Sequence, residues 1–129
     1  MPSPLPFQDL RVLLVDDSKT IRRSGQNLLQ REGCTVIVAE DGFDALGLVI
    51  EHEPDVVLVD IMMPRLDGFQ TCALIKNNPR FRDTPVIMLS SKDGLFDRAR
   101  AQAVGANHYL TKPFTREELI EALRSARGV

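Results

Sequence analysis

The run Val56-Val57-Leu58-Val59 constrains the fold of this chain more than any other stretch. All four residues are apolar and three are β-branched, which is typical of a short β-strand. A strand with one face in water would alternate apolar and polar residues, so this continuous run predicts a strand that is buried on both faces. Strands of this kind occur in parallel sheets that carry helices on each side.

Similar short apolar runs alternate with helical patterns along the whole chain. Strand and helix alternate five times without a hairpin signal, which predicts a doubly wound α/β fold of the (βα)5, flavodoxin-like type, with a five-stranded parallel sheet and helices on both faces. The predicted strands are Arg11–Val15, Thr35–Ala39, Val56–Val59, Pro85–Leu89 and His108–Leu110. The first predicted helix runs from Ser18 to about Glu32, and the second carries the apolar stripe Ala45, Leu46, Val49 and Ile50 and ends before Pro54. The other three predicted helices are Gly68 to about Lys76, Leu95 to about Val104, and Thr115 to about Arg127.

Length and charge exclude several classes of protein. With 129 residues there is room for one domain, and a net charge of −2 gives no general attraction for nucleic acid or membranes. The apolar runs break after about five residues, whereas a membrane span needs about 20. We expect a flexible, proline-containing leader over residues 1–9, one domain over residues 10–127 with no output domain, a monomer, and a cytoplasmic location without a signal peptide.

The cysteines and histidines show no metal or disulfide pattern. Cys34 and Cys72 lie in separate elements without a Cys-x-x-Cys spacing, so reduced packing residues are favoured over a disulfide. His52 and His108 are far apart in sequence and lack the spacing of zinc ligands.

Polar side chains follow four of the five predicted strands. Asp16 and Asp17 follow the first strand, Asp60 the third, Ser90 the fourth and Lys112 the fifth. The carboxyl ends of parallel strands meet at one edge, where open α/β sheets bind ligands. Two carboxylates about 5 Å apart repel by roughly 3 kcal/mol at an effective dielectric constant near 20, so three of them require a cation or a proton. Oxygen ligands with room for water and phosphate favour Mg²⁺.

Each of these residues taken alone also fits an ordinary structural role. Asp60 and Ser90 could cap the segments that follow them, and Tyr109 could be a core aromatic residue. The motifs occur together and in a fixed order, which these separate roles do not require. In chain order they are Asp16-Asp17, Asp60, Met62-Met63-Pro64, Asp67-Gly68, Ser90, Tyr109 and Lys112-Pro113.

This set of motifs resembles the receiver domain of bacterial two-component response regulators over about residues 10–127. The stretches 17–23, 60–68 and 89–96 are most similar to the CheY-like regulators of type IV pilus twitching motility. The resemblance implies that a histidine kinase or phosphotransfer protein donates a phosphoryl group to the chain. It also implies self-catalysed transfer and dephosphorylation rather than turnover of a separate substrate.

The resemblance assigns a role to each matching position. Asp60 is the nucleophile that becomes an aspartyl phosphate, and it holds Mg²⁺ together with Asp16, Asp17 and the backbone carbonyl of Met62. Lys112 pairs with the phosphoryl oxygens, and its bond to Pro113 is expected to be cis. These roles fit phosphoryl transfer, which depends on charge neutralisation and positioning more than on covalent assistance.

The resemblance also implies which residues transmit the phosphorylation signal and which ones control the lifetime of the phosphorylated state. The Ser90 hydroxyl hydrogen-bonds the new phosphoryl group, and Tyr109 turns inward, which repacks the surface of the fourth helix, fifth strand and fifth helix for a target protein. Met62 and Lys92 flank the path of an attacking water. We hypothesise that apolar Met62 orients this water poorly and lengthens the phosphorylated state; Lys92 fits a surface role equally well.

Arg22 and Arg23 offer two interpretations. They can help to dock the phosphodonor on the first helix, or they can form an ordinary solvated basic face.

Three alternatives to a phosphorylated receiver share parts of the pattern. An FMN-binding flavodoxin-like protein has the same architecture, but here Asp16-Asp17 replaces the phosphate-cradling loop. A phosphatase of the haloacid dehalogenase type places its nucleophilic aspartate after the first strand with a second acid two residues on, where this chain has Ser18. A receiver-like adaptor that never takes phosphate remains the third alternative.

Overall fold

The computed structural model describes residues 7–91 and 95–127, in which five strands alternate with five helices. The strands are β1 (Arg11–Val15), β2 (Thr35–Ala39), β3 (Val56–Asp60), β4 (Val86–Ser90) and β5 (His108–Thr111). The helices are α1 (Lys19–Arg31), α2 (Gly42–His52), α3 (Gly68–Asn77), α4 (Leu95–Ala103) and α5 (Arg116–Arg127). The predicted order of elements is confirmed. Strands β3, β4 and β5 each continue one residue beyond their predicted ends, which brings Asp60 and Ser90 into the sheet.

The sheet is parallel throughout, with the strand order β2-β1-β3-β4-β5. The predicted doubly wound fold is therefore confirmed. The chain moves outward to β2 on one side of β1 and returns to β3 on the other. This reversal opens a crevice at the carboxyl ends of β1 and β3, where open α/β sheets bind ligands.

Alternate residues of the strands supply two separate core layers. On β1, Leu13 and Val15 pack with apolar residues of α2, α3 and α4, whereas Val12 and Leu14 pack with α1 and α5. Every residue of β3 is buried, as the apolar run predicted. Because both faces of the central strands are covered, the ends of those strands hold their side chains in fixed positions.

Reciprocal caps start two of the helices. At α5 the Glu118 N–H donates to the Thr115 hydroxyl and the Thr115 N–H donates to the Glu118 carboxylate, at 3.1 Å each, which forms a capping box. At α3 the same arrangement joins Asp67 and Gln70. Asp67 therefore has a structural role that its place in the receiver motif did not indicate.

The folded unit begins earlier than residue 10. Phe7 is only 1% exposed and packs in the layer between the sheet, α1 and α5. The Asp9 N–H donates to the Gly33 carbonyl at 2.9 Å, which ties this segment to the start of β2. Residues 7–9 thus belong to the fold, although the prolines predicted a flexible leader as far as residue 9. Residues 1–6 lie outside the described residues.

The two cysteines occupy opposite core layers. Cys72 packs on the α2, α3 and α4 side of the sheet and Cys34 on the α1 and α5 side, in agreement with the predicted packing role. Burial raises the pKa of the Cys72 thiol to about 11. None of the helices that the structure describes is both long and apolar enough to cross a bilayer.

Candidate functional site

Asp60 is held at the carboxyl end of β3 by closely packed backbone. The Ile61 N–H donates to the Leu89 carbonyl at 2.9 Å, and the Gly68 N–H donates to the Ile61 carbonyl at 3.0 Å. A Cβ atom at position 68 would lie 2.5 Å from the Asp60 carbonyl oxygen, well inside van der Waals contact. Glycine at this position therefore allows α3 to begin directly against the end of β3.

Asp16 is fixed at the carboxyl end of β1 by bonds to its backbone and its side chain. Its N–H donates to the Ala39 carbonyl at 3.1 Å, and its Oδ1 accepts from the Ser18 N–H at 2.9 Å. Its carbonyl accepts from Nη1 of Arg22 at 2.6 Å. The side chain of Asp16 is 1% exposed, so a buried carboxylate points into the crevice.

Lys112 reaches the same crevice from the end of β5. Its Nζ lies 3.0 Å from Oδ2 of Asp16 and 3.3 Å from Oδ1 of Asp60. Its own N–H donates to the Ser90 carbonyl at 2.6 Å, which ties the β5–α5 connection to β4. The Lys112–Pro113 bond is cis, as predicted. Side chains from three strand ends thus meet around one ammonium group.

Three carboxylates form an acidic pocket beside this ammonium. One oxygen from each of Asp16, Asp17 and Asp60 lies within 4.8 Å of the other two. Asp16 and Asp60 are buried, whereas Asp17 is exposed and opens the pocket to solvent. This set of hard oxygen donors, open on one side, fits a small divalent cation that keeps some of its waters. The convergence that the sequence predicted for these residues is observed.

The charges in the pocket are out of balance. Burial raises the pKa of Asp60, the nearby Asp16 carboxylate raises it further, and the ammonium of Lys112 opposes both effects. Burial by itself lowers the pKa of Lys112, but the hydrogen bond to Asp16 and the charge of Asp60 outweigh it and the net shift is upward. Two buried carboxylates thus share one partly buried ammonium, so the pocket favours an additional cation.

Ser90 and Tyr109 lie on the neighbouring strands β4 and β5. Ser90 ends β4, is 2% exposed and lines a cavity of about 570 Å³ together with Met62 and residues at the start of α3 and on α4. Tyr109 is 8% exposed and packs in the core layer under α2, α3 and α4. The guanidinium of Arg98 lies 4.6 Å from the centre of the Tyr109 ring, so the position of this ring is coupled to α4.

Met62 and Lys92 differ in what the structure describes. The Met62 N–H donates to Oδ1 of Asp60 at 3.3 Å, and its side chain is exposed. An exposed apolar side chain therefore borders the pocket next to Asp60. Lys92 lies outside the described residues.

The bond from Arg22 to the Asp16 carbonyl was not predicted from the sequence. Arg22 and Arg23 are adjacent, and residue type alone allows the same two interpretations for both. The available clue was helical spacing, because Arg22 follows the capping residue Ser18 by one turn and so faces back toward the end of β1. The structure also places Arg98 over Tyr109, a contact that no motif marked.

Comparison with known proteins places this geometry in a family. Residues 12–124 match the response regulator receiver domain family. The chain is 61% identical over 116 residues to protein PilG of Pseudomonas aeruginosa, covering 90% of this chain and 86% of that protein. It is 38% identical to response regulator MprA of a Mycobacterium species over 90% of this chain but only 50% of that protein.

Solved structures show the same fold. Chemotaxis protein CheY4 of Vibrio cholerae superposes with a TM-score of 0.88 at 33% identity, covering 92% of this chain and 98% of that one. The receiver domain of Francisella response regulator 1452 superposes with a TM-score of 0.84 at 33% identity, covering 93% and 98%. Sequence and fold agree along nearly the whole described chain, and this protein belongs to the response regulator receiver domain family.

Proposed function

We propose that this chain accepts a phosphoryl group on Asp60 and passes the signal to a target protein. The observation that carries the proposal is the buried Asp60 carboxylate, 3.3 Å from the Lys112 ammonium and within 4.8 Å of two further carboxylates. An Asp60 oxygen attacks the phosphorus of a phosphohistidine on a kinase or phosphotransfer protein. The P–N bond breaks as the P–O bond forms, and the donor imidazole leaves with the electron pair of the broken bond.

Mg²⁺ is the cation that we assign to the acidic pocket. Asp16, Asp17 and Asp60 would hold it through carboxylate oxygens, and Met62 through its backbone carbonyl. When bound, Mg²⁺ neutralises the charge of the carboxylates and of the phosphoryl oxygens. Asp17 is the exposed member of the set, so the cation can enter on that side.

Lys112 supplies the second positive charge at the phosphoryl group. Its ammonium already bridges Asp16 and Asp60, so it needs only a small displacement to reach an oxygen of a phosphoryl group on Asp60. Preorganised charge of this kind is effective because the surrounding groups do not have to reorient during transfer. The same arrangement supports the proposal that the chain catalyses its own phosphorylation by small phosphodonors.

We assign the output to the surface formed by α4, β5 and α5. The Ser90 hydroxyl would donate a hydrogen bond to the phosphoryl group, which moves the β4–α4 connection toward Asp60. Tyr109 packs beneath α4 and touches Arg98, so a change in this packing alters the exposed face of α4. The target that reads this face belongs to pilus or chemotaxis-like control, as the resemblance to twitching-motility regulators indicates.

We assign docking of the phosphodonor to α1 and the adjoining β5–α5 connection. A largely apolar cavity of about 330 Å³ lies between Ile21 and Leu28 on α1 and Pro113 and Phe114 beyond β5, and Lys112 borders it. Arg23 is exposed on the same helix and can pair with an acidic donor. Arg22 is engaged by the Asp16 carbonyl and is less available for this role.

We assign Met62 to the lifetime of the phosphorylated state. The exposed Met62 side chain borders Asp60 and offers no hydrogen bond to an attacking water. Met62→Asn supplies a polar group there, and we expect it to accelerate dephosphorylation. An unchanged rate in this variant would remove Met62 from the proposal.

Mass spectrometry with a matched pair of aspartate variants tests the central step. The protein is incubated with Mg²⁺ and acetyl phosphate, and its intact mass is then measured. We expect one added phosphoryl group on the wild type and on Asp55→Asn, and none on Asp60→Asn. If the wild type gains no mass in the presence of Mg²⁺, with either acetyl phosphate or a kinase as the phosphodonor, the proposal is contradicted. That result would favour an adaptor that acts without phosphorylation.

A further inference from the structure

We infer that Arg22 is a positioning residue for the cation site: by holding the Asp16 carbonyl, it sets the direction in which the Asp17 carboxylate leaves the backbone. The inference rests on the proposed function, because it assumes that the acidic pocket takes a divalent cation. It assigns to Arg22 a role that its exposed neighbour Arg23 does not share.

The contact between Arg22 and the β1–α1 connection is short and charge-assisted. Nη1 of Arg22 donates to the Asp16 carbonyl at 2.6 Å. Hydrogen bonds from a charged donor are roughly twice as strong as those between neutral groups. Arg22 is partly buried, whereas Arg23 is exposed and makes no such bond in the described part of the chain.

Peptide geometry carries the effect from this contact to Asp17. The carbonyl that Arg22 holds belongs to the peptide bond between Asp16 and Asp17, and the atoms of a peptide bond lie close to one plane. Holding the carbonyl oxygen therefore restrains the plane before Asp17, and the Ser18 N–H bond to Asp16 Oδ1 restrains the plane after it. Together the two bonds limit the backbone rotations that set the direction of the Asp17 Cα–Cβ bond. Asp17 is exposed and makes no hydrogen bond of its own within the described residues, so its orientation depends on these two neighbouring bonds, and Arg22 supplies one of them.

The alternative role, direct neutralisation of the carboxylates, does not fit the contacts. No carboxylate among the described residues lies within ion-pairing distance of Arg22, whereas Lys112 pairs with both Asp16 and Asp60. The guanidinium is engaged by a carbonyl, and the Asp17 oxygens stay open to a cation. Arginine near a helix N-terminus is also unfavourable for the helix dipole, so this contact offsets an otherwise unfavourable placement.

Calorimetric titration with MgCl₂ tests the inference on the intact protein. Arg22→Met keeps the aliphatic stem but removes the donor, Arg22→Lys restores a cationic donor, and Arg23→Met is the matched control. We expect the Mg²⁺ dissociation constant of Arg22→Met to rise about tenfold because Asp17 is no longer held in position. This factor corresponds to a loss of roughly 1.4 kcal/mol in the free energy of Mg²⁺ binding. Arg22→Lys should recover part of this affinity, and Arg23→Met should remain within about twofold of the wild type.

Phosphorylation by acetyl phosphate supplies a second readout that does not involve donor docking. At saturating Mg²⁺ the rate of Arg22→Met should return to the wild-type value, since the defect lies in cation affinity and not in the transfer step. Folding of each variant is checked by circular dichroism, and Arg22→Gln provides a second variant if Arg22→Met is unfolded.

The possible results separate this inference from the proposed function. If the wild type binds Mg²⁺ and becomes phosphorylated while the folded Arg22 variants bind Mg²⁺ equally well, the positioning role is wrong and the proposed function stands. A rate that stays low at saturating Mg²⁺ also overturns the positioning role. If the wild type neither binds Mg²⁺ nor accepts phosphate, the proposed function fails and this inference fails with it.

Discussion

Two aspartates bracket the central strand β3 and differ in almost every physical respect. Asp55 precedes the strand, and its side chain is 45% exposed; it accepts the Arg11 N–H at 2.8 Å and lies 3.9 Å from Nε of the same arginine. Asp60 ends the strand with a side chain that is 7% exposed, and it shares the ammonium of Lys112 with Asp16. Asp55 is therefore exposed to water and has an arginine of its own, whereas Asp60 is buried and shares its cation with a second buried carboxylate.

The difference shows that position in the sheet, not residue type, makes an aspartate chemically useful. At the amino edge a carboxylate is already balanced, and removal of such an exposed pair changes little. At the carboxyl edge the crossover connections bring several acids to the crevice between β1 and β3. Their mutual repulsion in a buried setting is relieved when a cation or a phosphoryl group with its cation arrives.

Removing the cationic partner from each end of β3 should give the largest contrast. Lys112→Met leaves Asp16 and Asp60 without their shared cation and removes one donor to the phosphoryl oxygens, so we expect phosphorylation by acetyl phosphate to slow on the order of 100-fold. Arg11→Met removes the partner of Asp55, and its rate should equal that of the wild type. Quench-flow with intact-mass detection measures both rates.

The charge on residue 112 can be separated from its shape. Lys112→Arg retains a cation of different geometry and should fall between the wild type and Lys112→Met. Equal rates for Lys112→Met and the wild type would show that Mg²⁺ alone neutralises the transferred group. In that case the ammonium would be a structural counter-ion of Asp16.

Steric crowding behind Asp60 should give the next largest effect. A Cβ at Gly68 would lie 2.5 Å from the Asp60 carbonyl oxygen and 2.7 Å from the Ile61 Cα, so Gly68→Ala must displace backbone at the end of β3. We expect a loss of about 2–3 kcal/mol in the free energy of unfolding, measured by urea titration.

Gly47 in α2 is the matched control for this substitution. A Cβ added at Gly47 would meet no neighbouring atom within 4 Å among the described residues, and helix interiors favour alanine over glycine. Gly47→Ala should therefore stabilise the protein by about 0.5–1 kcal/mol. A Gly68→Ala variant as stable as the wild type would mean that the β3–α3 junction can relax, and that Asp60 is less rigidly held than its contacts indicate.

Much of this arrangement could be predicted from the sequence because it depends on pattern. Apolar runs such as Val56–Val59 and helical spacing predicted the elements, and parallel topology then placed Asp16, Asp60 and Lys112 at one edge. Strand ends were less certain, because β3 continues to Asp60 only through bonds with β4, a partner remote in sequence. Local pattern holds no information about such long-range bonds.

Contacts that depend on a single rotamer or on remote apolar surface could not be predicted. Helical spacing turns Arg22 toward the end of β1, but it does not show that the guanidinium reaches the Asp16 carbonyl. Phe7 follows three prolines that indicated a flexible leader, but the apolar surface between the sheet and α5 was available to cover it. The contact of Arg98 with Tyr109 joins two elements whose relative placement only the fold determines.

The pH dependence of stability should give the smallest but most direct contrast between the two ends of β3. Burial and the Asp16 carboxylate raise the pKa of Asp60, so the folded protein holds that proton more tightly than the unfolded chain does. The stability gained from protonated Asp60 is complete below about pH 4, the pKa of an unfolded aspartate, and is lost as the pH rises through the folded pKa. Asp60→Asn does not lose stability in this way. Without Mg²⁺, the melting temperature of Asp60→Asn minus that of the wild type should therefore increase by a few degrees between about pH 4 and pH 7.

Glu53 at the amino edge should show the opposite sign. The hydrogen bond and the charge of Arg80 lower the pKa of Glu53, so its contribution is present above the unfolded pKa and is lost as the pH falls. Glu53→Gln should therefore lose stability relative to the wild type as the pH rises. Mg²⁺ should abolish the trend for Asp60→Asn, because the cation stabilises the wild-type carboxylate, and leave the trend for Glu53→Gln unchanged. If the two trends had the same sign in the absence of Mg²⁺, the excess negative charge would not be concentrated at the carboxyl edge.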